Sequence, residues 1–215
     1  MKKVLIFIFL ILIIAITSFP SHAFVWMVYH KPAFKGKVID AETKEPIEGA
    51  VVVAVYNKAT IGLGAGTLSS VINVREALTD KDGMFRIPSY TTMIQPFSWE
   101  ISATFIIFKP GYGSFPNYRV KPPMELSNPA IEIFFSSNKE IGKEGELVEG
   151  EEWWKKYKVT FGLVELPKLK TREERRLSMP SPEEGSEHEK SSYRKKQKQF
   201  IRLLNEENKN LGLKG

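Results

Sequence analysis

The amino-acid sequence predicts an all-β sandwich at the centre of a 215-residue chain, with an N-terminal signal segment and a partly helical C-terminal extension. Three observations predict the sandwich. Val51-Val52-Val53-Ala54-Val55-Tyr56 is a β-branched run of buried-strand composition. Asp82-Gly83 sits between two apolar segments and tolerates the positive φ of a tight turn. The remaining apolar segments between residues 34 and 137 are short and closed by Gly, Pro or Asp, which favours several strands over any helical arrangement.

Met1-Lys2-Lys3 is a short basic start, and residues 4–16 are an unbroken apolar run. Thr17-Ser18-Phe19-Pro20 interrupts it, and Ser21-His22-Ala23 places small residues at the two positions a signal peptidase reads. Residues 1–23 therefore read as a signal peptide whose removal leaves Phe24 first. The alternative is an uncleaved anchor: the run is short for a span of about 20 residues, but Phe24-Val25-Trp26-Met27-Val28 extends it beyond the proline. Either way the expected location is outside the cytoplasm, periplasmic or at the cell surface.

Phe34-Lys35-Gly36-Lys37-Val38-Ile39-Asp40 has strand composition and ends in a polar stretch to Pro46. The run from Val51 follows. Leu78-Thr79, the turn Asp80-Lys81-Asp82-Gly83 and Met84-Phe85-Arg86-Ile87-Pro88 read as a hairpin. Residues 98–108 form a further strand that stops at Lys109-Pro110-Gly111-Tyr112, and Ala130-Ile131-Glu132-Ile133-Phe134-Phe135 reads as another. The sandwich is thus expected over residues 34–137. Residues 138–190 read as a linker and charged extension, with a strand or packed arm near Val159 to Val164 and a short helix beginning at Thr171. Residues 191–212 read as an amphipathic helix with Phe200, Ile201, Leu204 and Leu211 at helical spacing and Gly212 placed to end it.

The string Gly36-Lys37-Val38-Ile39-Asp40, then Pro46-Ile47-Glu48-Gly49-Ala50-Val51-Val52, Thr79-Asp80, Gly83-Met84-Phe85 and Pro110-Gly111-Tyr112 resembles carboxypeptidase regulatory-like domains. The resemblance implies a transthyretin-like (prealbumin-like) seven-stranded sandwich over roughly half of the chain. It implies little about activity, because such modules serve many hosts. Residues 57–77 depart from that pattern as an insertion, expected to be a mobile loop or an extra strand pair, and long loops on rigid sandwiches often carry binding function.

Composition narrows the chemistry. The chain has no cysteine, which excludes disulfides and thiolate metal sites. Its charge of +6, part of it from Lys2 and Lys3, is mixed in sign and gives little support to nucleic-acid binding. His30 and His188 stand alone once His22 leaves with the signal, and no zinc-hydrolase spacing exists. The hydroxyisourate-hydrolase branch of transthyretin-like proteins ends in Tyr-Arg-Gly-Ser, whereas this chain ends Leu213-Lys214-Gly215. Asp80-Lys81-Asp82-Gly83 lacks the closing Glu of a calcium loop, with Thr91 in its place. Gly62, Gly64 and Gly66 lack the spacing of a phosphate loop. Some related sandwiches carry a Lys–Asn isopeptide beside a Glu. Lys35 or Lys37, Asn138 and Glu100 are the matching residue types, with solvated surface positions the plainer expectation. No catalytic residue, cofactor site or metal site is therefore expected.

The candidate partner-binding residues are Trp153, Trp154 and Tyr157, set among Lys155, Lys156 and Lys158, together with Phe200 and Leu204 of the terminal helix. The indoles are expected to fold back onto the sandwich unless a partner uses them. The basic side of the last helix (Arg194, Lys195, Lys196, Lys198, Arg202) suits a membrane surface, a partner helix or docking on its own domain. The expected function is a non-enzymatic exported binding or structural module of the cell envelope with a protein or glycan partner. The membrane surface is a further expected contact, through the last helix or an uncleaved anchor. The alternative is a small-ligand carrier or enzyme with a site in residues 57–77, lined by Tyr56, Arg75 and Glu76.

Overall fold

A computed structural model describes residues 28–62, 66–117, 126–184 and 190–213. Residues 1–23, expected to be a signal peptide, and His188 lie outside the described residues. In chain order the elements begin β1 (Val28–Lys31), β2 (Phe34–Asp40), β3 (Val51–Ile61), β4 (Thr67–Leu78) and β5 (Met84–Ile87). They continue with β6 (Tyr90–Met93), β7 (Ser98–Glu100), β8 (Thr104–Phe108), helix α1 (Asn128–Phe135), β9 (Glu144–Val148), β10 (Lys156–Thr160) and β11 (Leu163–Leu166). Helices α2 (Arg172–Leu177), α3 (Lys190–Lys196) and α4 (Lys198–Asn210) follow. The architecture is predominantly β, with strands in open sheets and a few short helices.

β3 is the central element. It pairs antiparallel with β4 on one edge and, on the other, with β8 over Val51 to Val55 and with β7 over Lys58 to Thr60. Val52, Ala54 and Tyr56 point into the main core, while Val51, Val53 and Val55 join a second cluster with Val74, Phe108, Tyr193, Phe200 and Leu203. A strand covered on both faces needs apolar side chains at every position, which is why this run shows no alternation. The expected insertion, residues 57–77, takes in the far part of β3 and nearly all of β4, which pair antiparallel along a long hairpin with the register slipping between Tyr56 and Asn57. Of the two expected forms, the structure takes the extra strand pair.

The second sheet has the order β11-β2-β5, with β11 parallel to β2 and β5 antiparallel. Its Phe34, Val38, Phe85, Ile87, Val164 and Leu166 meet the inner face of β3 in the main core. The turn at Asp80 forms as its residues dictate: the Asp80 carboxylate accepts from the Asp82 and Met84 amides at 2.9 Å each, and Gly83 adopts φ +73°. Its flanks are not a ladder pair, however. The turn carries the chain from β4 in one sheet to β5 in the other, correcting the hairpin expectation. Buried Thr79 explains the corner: its hydroxyl donates to the Ile47 carbonyl (2.6 Å) and accepts from the Ala50 amide (2.8 Å), tying it to the β2–β3 connection.

Residues 130–135 are helical, not a strand. Pro129 lies in the first turn of α1, where its missing amide costs nothing, and Ala130, Ile131, Phe134 and Phe135 form a buried stripe. Phe135 packs against Phe85, Phe105 and Phe115 with ring centroids 4.8–6.0 Å apart. The linker expectation is also corrected, because β9 pairs with β10 inside residues 138–190 and β11 completes the β2 sheet. Core packing thus extends well past residue 137. The helix expected from Thr171 is α2, closed by a capping box in which Thr171 and Glu174 exchange hydrogen bonds. The terminal helix is two helices broken at Gln197, with Gly212 at φ +65° just past its end.

Candidate partner-binding site

Trp153 and Trp154 occupy the turn between β9 and β10. That turn is closed at its base by Glu149 N–H to the Lys155 carbonyl (3.3 Å) and tightened by Lys155 N–H to the Glu152 carbonyl (2.8 Å). The indoles are 71% and 66% exposed and meet edge to face, with centroids 5.8 Å apart. They do not fold back onto the sandwich as expected. Their exposure leaves two broad apolar faces and two N–H donors in solvent, a surface suited to stacking on sugar rings or filling a shallow protein pocket.

The platform beneath them is ordered by charge. Tyr157 is half-buried against the main core and donates to Glu149 Oε2 at 3.1 Å. Glu149 Oε1 accepts from the Ser127 amide at 2.7 Å, joining the turn to the start of α1. The Ser127 amide, helped by the Tyr157 hydroxyl, holds the Glu149 carboxyl below its ordinary range. Lys155 bridges Glu152 at 3.2 Å and lies 5.6 Å from the Tyr157 ring centroid. Contact with Tyr157, then with Glu152, keeps its ammonium protonated above the usual lysine range. Lys156 pairs with Glu146 across the hairpin at 3.1 Å. The turn therefore presents two indoles above locally neutralised charges.

Phe200 and Leu204 are elsewhere, and the structure corrects their assignment to a partner. Both are buried against the outer face of β3 and β4, at 0% and 7% exposure. Glu76 holds the helix there, its two carboxylate oxygens accepting from the Gln199 and Phe200 amides at 2.9 and 3.0 Å. Arg175 clasps the buried Glu207 through two hydrogen bonds of 2.6 and 2.7 Å. The helix docks on its own domain.

The site imagined around Tyr56, Arg75 and Glu76 is not assembled. Tyr56 is fully buried, with burial pushing its hydroxyl up to about 12, and Arg75 is held by the Pro88 and Ser89 carbonyls at 3.2 and 3.0 Å. An open groove of about 390 Å³ does lie beside the hairpin, lined by Lys58, Ser70, Met93, Gln95 and Tyr193 among others. Nor do the isopeptide residue types meet: Glu100 lies 3.6 Å from Lys31, and Asn138 accepts from Ser136. His30 contacts Thr91 at 2.7 Å. No group of three or more His, Asp or Glu suited to a metal exists among the described residues.

Two features escaped the sequence reading. Lys31 is buried and bridges Glu132 at 2.8 Å, a pair that the isolated charges of β1 and α1 do not announce. Met93 and Phe97 are largely exposed, and the absence of any charged residue from 87 to 99 was the available signal. Compared with family models, curated proteins and solved structures, the chain matches none of them.

Proposed function

We propose that this chain is a non-enzymatic, exported binding module of the cell envelope, periplasmic or at the cell surface, whose β9–β10 turn recognises a protein or glycan partner. The observation that carries the reading is the exposed Trp153–Trp154 pair on a turn braced at Glu149 and Tyr157. Large aromatics on a preorganised support lose little side-chain entropy on binding. Export is supported by the basic start, the apolar run 4–16 and the small residues at Ser21 and Ala23. The transthyretin-like assignment is likewise a proposal. It is supported by the family-like strings on β2, β3 and the Asp80 turn, with a second layer formed by β11-β2-β5.

The test is affinity capture from solubilised envelopes with the full chain and with the Trp153→Ala/Trp154→Ala double variant. Soluble envelope oligosaccharides serve as competitors to separate glycan from protein. Because both indoles are exposed, the variant should keep its melting temperature and lose at least tenfold in retained partner. Equal capture by both proteins, or a defined turnover on an envelope metabolite, would sink the reading.

A further inference from the structure

Six of the twelve large apolar side chains left exposed among the described residues are neighbours at one end of the molecule. Val28 is the register partner of Met93. From Met93 the chain turns through Gln95 to Phe97, whose carbonyl accepts from the Ile61 amide at 3.2 Å. Leu68 pairs with Thr60, and Trp99 with Ala59. Lys58 ties the two strand systems together by donating to Gln95 at 3.1 Å.

Three properties point to what covers this end. Leu68 and Trp99 pair with consecutive residues of β3, so they project from opposite faces of one sheet. A protein partner covers one face, whereas an apolar medium surrounds both. Next, neither residues 59–74 nor residues 87–99 contain a single Asp, Glu, Lys or Arg. The ammonium groups that reach these segments, Lys58 on Gln95 and Lys196 on Asn73, bond to polar side chains, and the hydrophobic tip beyond them carries no charge of its own. Their uncharged polar residues are mostly hydroxyls, which suit an interface. Finally, Phe97 is 79% exposed and held at φ +61°, a strained conformation for a bulky residue that here buries nothing in return.

The chain itself supplies the direction. β1 begins at Val28, and the sequence from residue 4 to residue 29 carries no Asp, Glu, Lys or Arg. The apolar N-terminal sequence therefore joins the domain at the same charge-free end. We propose that this end rests in the interfacial layer of a lipid bilayer, with Ile61, Leu68, Met93 and Phe97 at the headgroup–acyl boundary. The first charges behind it, Lys58, Glu100, Lys196 (bonded to Asn73) and Arg75, mark the depth at which water begins. This contact is separate from the Trp153–Trp154 turn and does not depend on that turn binding anything.

Because the chain has no cysteine, single spin labels can be placed at will. The full chain would be reconstituted into phosphatidylethanolamine–phosphatidylglycerol vesicles with a label at Phe97→Cys or Leu68→Cys. Leu177→Cys, a 61%-exposed position on α2, is the reference. Unchanged melting temperatures confirm that each variant folds. Labels at 68 and 97 should collide preferentially with oxygen and at least fivefold less with a water-soluble nickel chelate than the label at 177. Equal nickel accessibility at all three positions, with the chain fully vesicle-bound, would overturn the proposal. So would spin–spin broadening at position 97 that vanishes on dilution with unlabelled chain, which would assign the end to a second copy. The Trp153→Ala/Trp154→Ala variant should give the same label profile, so failure of partner capture and failure of membrane contact are read separately.

Discussion

Replacing Glu76 with alanine asks whether the C-terminal helices are an integral layer of the domain. Gln197, at the N-cap of α4, makes no side-chain capping bond, so the amides of the first turn need another acceptor. Glu76 supplies it from β4, one oxygen to the Gln199 amide at 2.9 Å and the other to the Phe200 amide at 3.0 Å. Loss of a side-chain cap costs about 1 kcal/mol. Loss of a negative charge at a helix N-terminus adds about 0.3–1 kcal/mol. The expected destabilisation is therefore about 1.3–2 kcal/mol, or roughly 3–8 °C in melting temperature for a chain of this size. Glu76→Gln keeps one acceptor and removes the charge, so it should lose about half as much. Hydrogen exchange localises the effect: amides of residues 200–208 should exchange faster in Glu76→Ala, while those of β2 and β8 change less. An alanine variant with unaltered melting temperature and unaltered exchange in α4 would refute the reasoning, because the carboxylate would then not be what seats the helix.

Two further substitutions probe the core. Burial holds the Glu132 carboxyl above its ordinary value of 4.5, against the pull of Lys31. The folded state thus keeps a proton that the unfolded chain releases, so this group's contribution to stability is full below about pH 4.5 and declines as pH rises through the raised folded value. Urea titrations from pH 4 to 7 should show that decline in the native protein and not in Glu132→Gln. At pH 7 that variant, whose neutral amide stands in for the protonated acid, should be no less stable than the native protein, since burial outweighs the attraction of Lys31 for the carboxylate. Gly83→Ala should cost about 2 kcal/mol or more by thermal unfolding, since φ is +73° and an added Cβ would press on the Val38 carbonyl oxygen.

Local chemistry made several elements legible. Thr171 three residues before Glu174 marks a helix start in any context, and α2 begins there. Val51 to Tyr56 announced a strand buried on both faces, although not that its outer face would be covered by the chain's own C-terminus. The misreading of α1 came from composition: Ile131, Ile133, Phe134 and Phe135 favour strands in isolation, yet the helical stripe was present at 130, 131, 134 and 135. Packing against Phe85, Phe105 and Phe115 outweighs propensities worth a fraction of a kcal/mol each. Exposure of Trp153 and Trp154 was not legible, because whether an indole returns to a core depends on the length and closure of the hairpin that carries it. The docked face of α4 was legible as an apolar stripe, but the stripe does not say what it covers.

The parallel pairing of β11 with β2 carries a consequence for the order in which the molecule is made. Phe34–Asp40 is among the first strands to leave the ribosome, and Leu163–Leu166, its parallel neighbour, is made more than a hundred residues later. The outer face of β3 waits longer still, for Phe200 and Leu203. Contacts of such separation are slow to close and leave the growing chain without its finished sheet until synthesis is nearly over. An unfinished sheet is a threadable chain. Under the export proposed above, placing the closing strand and the closing helix last would hold the chain in the unfolded state that a narrow channel admits.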